Sequence, residues 1–362
     1  MMRRTLLDRA RNTAAPASAV TKKSESGLLT RIGRVLRPGQ NGINHRAEVC
    51  PQELSYIVSG VPRSGTSAFA RSLNLHPKLF CGIECFPITY DYAGFSAPQS
   101  FLALADADTR TRAQDNSLEA LNNKLATSRP PVLYGNKLPR YYFCLWRLQR
   151  ENMQPQILHL YRDPIATAQS WDRRAANPKD SLWQRGQIGL FAVAECFIAL
   201  LRLAQLDQPI CLISHTRYFS TDPNDYARVL KVLGVRPDKT AAGAFRAEYF
   251  QHKTMAKQTP PDWAADIDVA GLSAWVNELA AAPQTHLSDP AIAQALAQRW
   301  TDAMPHITRH LVQAAATNTD VRAYADNWLN ILKHHLNKDC PATYSALTPM
   351  LDALSEAALT HG

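Results

Sequence analysis

Four short apolar runs interrupt an otherwise mixed chain: SYIVSGV (55–61), PVLYGN (131–136), QILHLYR (156–162) and PICLIS (209–214). Runs of that length, bounded by Gly, Pro or charge, predict buried strands rather than helices. The intervals between them leave room for helices. One helix is predicted to start at Thr66. Another runs through LWQRGQIGLFAVAECFIALLRLAQL (182–206), where Leu190, Val193, Phe197, Leu200 and Leu201 fall on one apolar stripe. Buried strands alternating with helices predict a parallel sheet covered on both faces. Ligands on such sheets bind beyond the carboxyl ends of the strands.

The stretch 86–129 is long and aromatic at its start, with Phe86, Tyr90, Tyr92 and Phe95. It reads as an insertion that covers a substrate. Beyond residue 240 the chain becomes Ala-rich and helical in pattern, as in AIAQALAQRW and DNWLNILKHHL. No internal repeat of fixed period appears. The expected organisation is a basic, flexible arm (1–45), an α/β core (46–240) and a helical C-terminal subdomain packed on that core (241–362).

Charge changes this picture at one end only. The net charge is +9, and residues 1–40 hold nine cations against two anions, Asp8 and Glu25. The basic character therefore belongs to the arm, and a nucleic-acid partner, which asks for a basic face on the folded body, is not expected. Within GLLTRIGRVLRPGQNG the residues Leu28, Leu29, Ile32, Val35 and Leu36 fall near helical spacing, with Arg31, Arg34 and Arg37 between them and Pro38 as a stop. Such a helix would make weak contact with an anionic membrane surface. No apolar run reaches membrane-span length and no secretory h-region is seen, so the expectation is a cytoplasmic protein, peripheral at most to the inner membrane surface. The seven cysteines form no C-x-x-C pair, and reduced, mostly buried thiols are expected.

The candidate chemistry begins directly after the first strand, at GVPRSGTS (60–67). Gly60 and Gly65 allow a tight bend around an anion, and a helix starting at Thr66 adds its positive end. Thr66 and Ser67 supply hydroxyl donors, and Arg63 supplies a forked cation. A triphosphate loop would carry Lys where Thr66 stands, so a shorter anion chain is expected. Later, HLYRDPIATAQSW places Arg162 at a strand end and Ser170 eight residues on, with Asp163–Pro164 between as a helix-start signal. Arg162 and Ser170 can address one phosphate.

Taken together, GVPRSGTS and YRDPIATAQS resemble the PAPS-dependent sulfotransferase family, with motifs nearest to its tyrosylprotein-type and bacterial members. The resemblance spans about residues 55–172 and implies a three-layer P-loop-like fold with a central parallel sheet. It implies that Pro62, Arg63, Ser64, Gly65, Thr66 and Ser67 bind the 5′-phosphosulfate of 3′-phosphoadenosine 5′-phosphosulfate, and that Arg162 and Ser170 bind its 3′-phosphate. NLHPKLFCGIECF resembles the HP…CGEE stretch of tyrosylprotein sulfotransferases, whose catalytic Glu matches Glu84. YGNKLP resembles the segment whose catalytic Lys matches Lys137. The implied reaction is in-line transfer of a sulfuryl group to a hydroxyl or amine, leaving 3′,5′-ADP. Arg63 and Lys137 would stabilise the charge, and no metal is expected. The His that many cytosolic relatives place just after the catalytic Lys is replaced by Leu138–Pro139, so the resemblance gives the role of base to Glu84. The family's adenine-contacting Tyr falls on Thr216, which leaves His215 and Tyr218 as the nearby rings. ICLISHTRYFSTDP resembles the corresponding family turn at Asp222–Pro223, and Lys253 and Lys257 are candidates for a C-terminal cofactor loop.

Two other readings stay open on sequence alone. A P-loop kinase would use Asp163 to hold Mg²⁺, and a non-catalytic membrane-surface protein would use only the basic arm. The acceptor is expected to be a carbohydrate, glycolipid or small molecule with a hydroxyl group. Among the remaining residues, His306 and His310 have metal spacing but read as solvated helix histidines, and His159 reads as a satisfied core imidazole. His76 reads as a packing or capping residue, and Trp171 and Trp183 read as core with a second use as nucleotide or sugar flanks.

Overall fold

The structure, a computed structural model, describes residues 53–106, 111–127, 130–180, 183–220, 224–249, 259–336 and 340–360. The arm 1–45, its helix at 28–37, Cys50, Asp222–Pro223, Lys253 and Lys257 lie outside these residues.

Five parallel strands form one sheet: β1 (Tyr56–Ser59), β2 (Leu79–Ile83), β3 (Leu133–Lys137), β4 (Gln156–Tyr161) and β5 (Ile210–Ser214), in spatial order β2-β3-β1-β4-β5. Nearly every strand residue is buried, as expected for a sheet covered on both faces. Alternation along the strands divides the core in two. Tyr56, Val58, Leu158, Leu160, Cys211 and Ile213 pack beneath α1 (Thr66–Asn74) on one face. Ile57, Phe80, Ile157, Ile210 and Leu212 share the other face with α3 (Pro164–Ala175) and α4 (Gly189–Leu203).

Four strands coincide with the apolar runs, and the fifth, β2, was not among those expectations. Its sequence, LFCGI, is short, and a Gly interrupts the apolar pattern. Gly82 is required there because a Cβ would lie 2.6 Å from the Phe101 ring and 2.9 Å from the Cys85 Sγ. The expected insertion 86–129 is divided. Its second part contains α2 (Arg112–Leu125), the crossover helix between β2 and β3, which packs on β2. Its first part builds a small aromatic core in which Phe86 meets Tyr90, Tyr92, Phe95 and Phe101 at ring distances of 4.5–6.2 Å.

On α4 the apolar stripe becomes a whole buried helix, in which every residue but Leu201 is buried. It is covered by α3 on one side and by α8 (Pro290–Thr317) on another. Its first N–H is capped from outside the helix, since Gly189 N donates to Asp172 Oδ1 of α3 at 2.6 Å. A Cβ on Gly189 would sit 2.5 Å from the Ala168 carbonyl, so glycine permits this approach.

Between β5 and the C-terminal region lie α5 (Asn224–Val232) and α6 (Lys239–Tyr249), followed by α7 (Val269–Leu279). Then come α8, α9 (Thr319–Leu336) and α10 (Pro341–Thr360). One hydrophobic core runs from Ile57 and Ile157 of the sheet through α4 to Trp300, Trp328 and Leu354, so the core is continuous across residue 240. The six described cysteines are all buried, and none is joined to another in a disulfide. Among the described residues no helix is long and apolar enough to cross a membrane.

Candidate active site

Because all five strands run parallel, their carboxyl ends share one edge. Strand β1 is also where the chain reverses its direction of travel across the sheet, with β2 and β3 on one side and β4 and β5 on the other. Such a switch point opens a crevice above the strand ends.

The loop after β1 is shaped by backbone before side chains. Arg63 and Gly65 both have left-handed backbone, with φ of 73° and 95°. Ser64 N donates to Val61 O at 3.0 Å, which closes the turn. A Cβ on Gly60 would lie 2.7 Å from the Leu160 carbonyl and 2.7 Å from Ser64 Oγ, so only glycine fits. The first turn of α1 has no side-chain cap, which leaves its N–H groups for an anion. Ser64 Oγ is buried within the loop and has no hydrogen-bond partner. These features fit a phosphate or sulfate group.

From β4, Arg162 donates to the Arg63 carbonyl at 3.0 Å. Ser170, one helical face further along α3, lies 3.3 Å from Arg63 Nε as that nitrogen's acceptor. The charges crowd one another. Burial, then Arg174 and Arg173, hold the Arg63 guanidinium below its ordinary value, against the pull of Asp180. Burial, then Arg173 and Arg63, do the same to Arg162. A set of guanidinium groups that depress one another is electrostatically prepared for an anion. Arg173 and Arg174 were not among the expected site residues. Their signal was available, since they follow Ser170 at i+3 and i+4 on one helix.

Lys137 ends β3, and its side chain is 1% exposed. Its Nζ donates to Glu84 Oε1 at 2.5 Å, and Glu84 is 44% exposed at the end of the neighbouring β2. Burial pushes the Lys137 amine down, the Glu84 carboxylate pulls it back up, and Arg71 on α1 pushes it down again. Glu84 itself holds a left-handed backbone, φ 58°, unusual for a residue with a Cβ. Three contacts fix that conformation. Glu84 N donates to the Lys137 carbonyl at 2.7 Å, Gln114 Nε2 donates to the Glu84 carbonyl at 2.8 Å, and Cys85 N donates to Asn136 Oδ1 at 3.2 Å. Asn136 and Gln114 were missed because their role is to hold backbone, which leaves no motif.

Other expectations divide. His215 follows β5 and lies against the loop, since a Cβ on Gly65 would sit 2.7 Å from its ring. Burial and Arg162 lower it to about 4. Tyr218 cannot stack on a nucleotide, because it is fully buried and its hydroxyl shares a 2.7 Å hydrogen bond with Ser72. Asp163 does not present a free carboxylate. Its Oδ1 caps Ala166 N at 2.9 Å and its Oδ2 accepts from Ser273 Oγ at 2.8 Å. His159 is buried as expected, yet its Nδ1 has no partner. His76 does act as a local clamp: its Nδ1 accepts from Lys78 N and its Nε2 pairs with the Arg236 carbonyl. His310 pairs with Asp266 at 2.7 Å. Trp171 is core, but its Nε1 donates to the Pro62 carbonyl of the loop at 2.7 Å. Trp183 meets Trp171 edge-on at 5.2 Å.

Two surface clefts are separate from these groups. One, lined by Glu53, Ser55 and Asn152, lies at the amino ends of β1 and β4, the wrong edge of the sheet. The other, beside the first turn of α3, is lined by Asp262, Asp266 and Asp268, a poor environment for a phosphate.

Residues 56–209 match the pattern of the sulfotransferase family. Among solved structures, the chain is similar to the sulfotransferase domain of the olefin synthase of Synechococcus PCC 7002, at 16% identity and a TM-score of 0.35, over 70% of this chain and 97% of that one. It is also similar to the sulfotransferase STF9 of Mycobacterium avium, at 15% identity and a TM-score of 0.33, over 54% and 67% of the two chains. No curated protein matches it.

Proposed function

We propose, from the match of residues 56–209 to the sulfotransferase family, that the chain is a sulfotransferase and moves a sulfuryl group from 3′-phosphoadenosine 5′-phosphosulfate to a hydroxyl or amine of an acceptor. The donor supplies an activated sulfuryl group on a phosphate leaving group. The N–H groups of the 60–66 loop, the Thr66 and Ser67 hydroxyls and Arg63 hold its 5′ end. Arg162 and Ser170 hold the 3′-phosphate, and the nearby Arg173 and Arg174 add to the field there. Lys137 and Arg63 stabilise charge that builds on the leaving phosphate oxygen, the kind of electrostatic help that dominates such transfers. Glu84 takes the acceptor proton as the new S–O bond forms and the bridging S–O bond breaks.

The observation that carries this reading is the meeting of Lys137 and Glu84 at 2.5 Å, at the same sheet edge as the loop. A partly exposed carboxylate over a buried ammonium presents a base to the acceptor and a cation to the leaving group. The kinase reading is disfavoured because both Asp163 oxygens are occupied by the protein and no Lys follows Gly65. We propose a carbohydrate, glycolipid or small-molecule acceptor, entering beside Tyr90 and Phe95 at the half-buried rim of the aromatic core.

The test is calorimetric titration with 3′,5′-ADP and, separately, Mg·ATP. Binding of 3′,5′-ADP alone is expected, and binding of Mg·ATP alone would sink the proposal. Transfer of labelled sulfate to carbohydrate and peptide acceptors then separates the acceptor classes.

A further inference from the structure

Helix α4 carries one carboxylate in the middle of its apolar sequence, Glu195, which is 0% exposed. A buried charge is costly unless every lone pair is used. Here they are used. Arg140 grips it with a fork, Nε to Oε2 at 2.9 Å and Nη2 to Oε1 at 2.6 Å. The Tyr142 hydroxyl donates to Oε2 at 2.7 Å, and Trp328 Nε1 of α9 donates to Oε1 at 3.0 Å. Arg140 also donates to the Tyr324 hydroxyl of α9 at 3.1 Å.

None of these groups belongs to the proposed chemistry, yet the network ends on the phosphate loop. Arg140 N donates to the Gly60 carbonyl at 3.1 Å. The Arg140 guanidinium lies 5.6 Å from the centre of the Trp171 ring, and Trp171 Nε1 donates to the Pro62 carbonyl. In a trans peptide the carbonyl and the following N–H point in opposite directions. Holding the Gly60 and Pro62 carbonyls outward therefore turns the N–H groups of Val61 and Arg63 the other way. Arg140 meets the loop from a left-handed backbone, φ 68°. A residue with a Cβ keeps that conformation only when its surroundings hold it there. The fork to Glu195 supplies that hold.

We propose that Glu195, acting through Arg140 and Trp171, is a positioning residue for the donor-binding loop, and that α9 takes part through Trp328 and Tyr324. This rests on the nucleotide-binding reading of the loop. Glu195→Gln keeps the size of the side chain but leaves Arg140 without its counter-charge. Trp171→Phe keeps an aromatic ring but removes the bond to Pro62 together with part of the buried packing on Trp183. Trp300→Phe serves as a control, since it makes the same loss of indole volume and N–H, here from a bond to the Ala346 carbonyl, at a residue that makes no hydrogen bond to Glu195, Arg140 or the loop.

The experiment is titration of the full chain with 3′,5′-ADP, at temperatures where circular dichroism shows each variant folded. Glu195→Gln and Trp171→Phe are each expected to weaken binding about tenfold or more, the scale of a small misplacement in a preorganised site. Trp300→Phe is expected to lower the melting temperature and leave binding unchanged. A merely structural role would lower melting temperatures alone. If the loop variants bind as the wild type does, the inference is overturned. Should Glu195→Gln fail to fold, Trp171→Phe decides by the same criterion. If the wild type itself does not bind 3′,5′-ADP, the nucleotide reading fails first and this inference fails with it.

Discussion

Lys137 holds its charge where burial resists it, and Glu84 at 2.5 Å is the main group that favours keeping the proton. Its folded value lies below the ordinary 10.5, so the protonated form is lost earlier on the alkaline side than in a free lysine. The rate should therefore fall on an alkaline limb that begins below that value. Lys137→Arg, which stays charged, should move the limb upward with a reduced kcat, and a pH–rate profile checks this. An unmoved limb would mean that another group titrates there. Lys137→Met should cost about 10²–10³ in kcat, the scale of a lost donor at a developing charge. Arg173 works differently, since it is exposed on α3 and acts through its field on Arg63 and Arg162. Arg173→Ala should weaken 3′,5′-ADP binding about threefold at low salt and less in high salt, because exposed charges are screened. Binding that is indifferent to salt in both proteins would exclude this role. At this scale Arg63, Ser170 and Lys137 were legible because each falls in a recognisable motif. Asn136 and Gln114 were not, because what they hold is the backbone of Glu84 and Cys85.

Strands and helices are legible when one face dominates their environment. Runs such as QILHLY announce a buried strand, and Asp163–Pro164 announces the start of α3, where Asp163 caps Ala166 N. Strand β2 was hidden because it lies at the sheet edge and contains Gly82, whose reason is the Phe101 ring against it. Contacts between elements are harder to read than the elements themselves. Gly186 is an example, since a Cβ there would collide with the Asp320 carbonyl at the start of α9. Gly186→Ala should push the first turn of α9 away from the segment before α4. A loss of about 1–3 kcal/mol in urea denaturation is expected, the range for overpacking against backbone. An unchanged midpoint would show that the two segments part freely.

For the whole molecule the buried imidazoles set the response to acid. His159, His215 and His335 are each lowered from 6.5 to about 4, mainly by burial. Unfolded chains bind these protons between pH 6.5 and 4, whereas the folded chain does not. Stability is therefore full above pH 6.5, falls as the pH drops toward 4, and has no further contribution from these groups below that. For His159, which is fully buried, the loss is on the order of 3 kcal/mol. Urea midpoints measured from pH 7 to 4 should fall, and His159→Phe should flatten part of the slope. A slope identical in that variant would assign the effect to other groups. The same integration appears in Glu195, which joins α4, the segment after β3 and α9 in one buried network.

The sequence alone determined the local terms: four of the five strands, the parallel α/β class, the glycine-bounded loop, and the eight-residue spacing of Arg162 and Ser170. These follow from periodicity, backbone freedom and residue spacing, which act over a few residues. Only the tertiary structure decided which strand ends share an edge, and so brought Glu84 of one strand onto Lys137 of the next. It also decided that Tyr218 is core, that the second oxygen of Asp163 is taken by Ser273, and that Glu195 reaches the loop through Arg140. Those outcomes depend on which buried groups find partners across tens to hundreds of residues. A polar residue in an apolar run shows that a partner must exist, and only the fold shows which one it is.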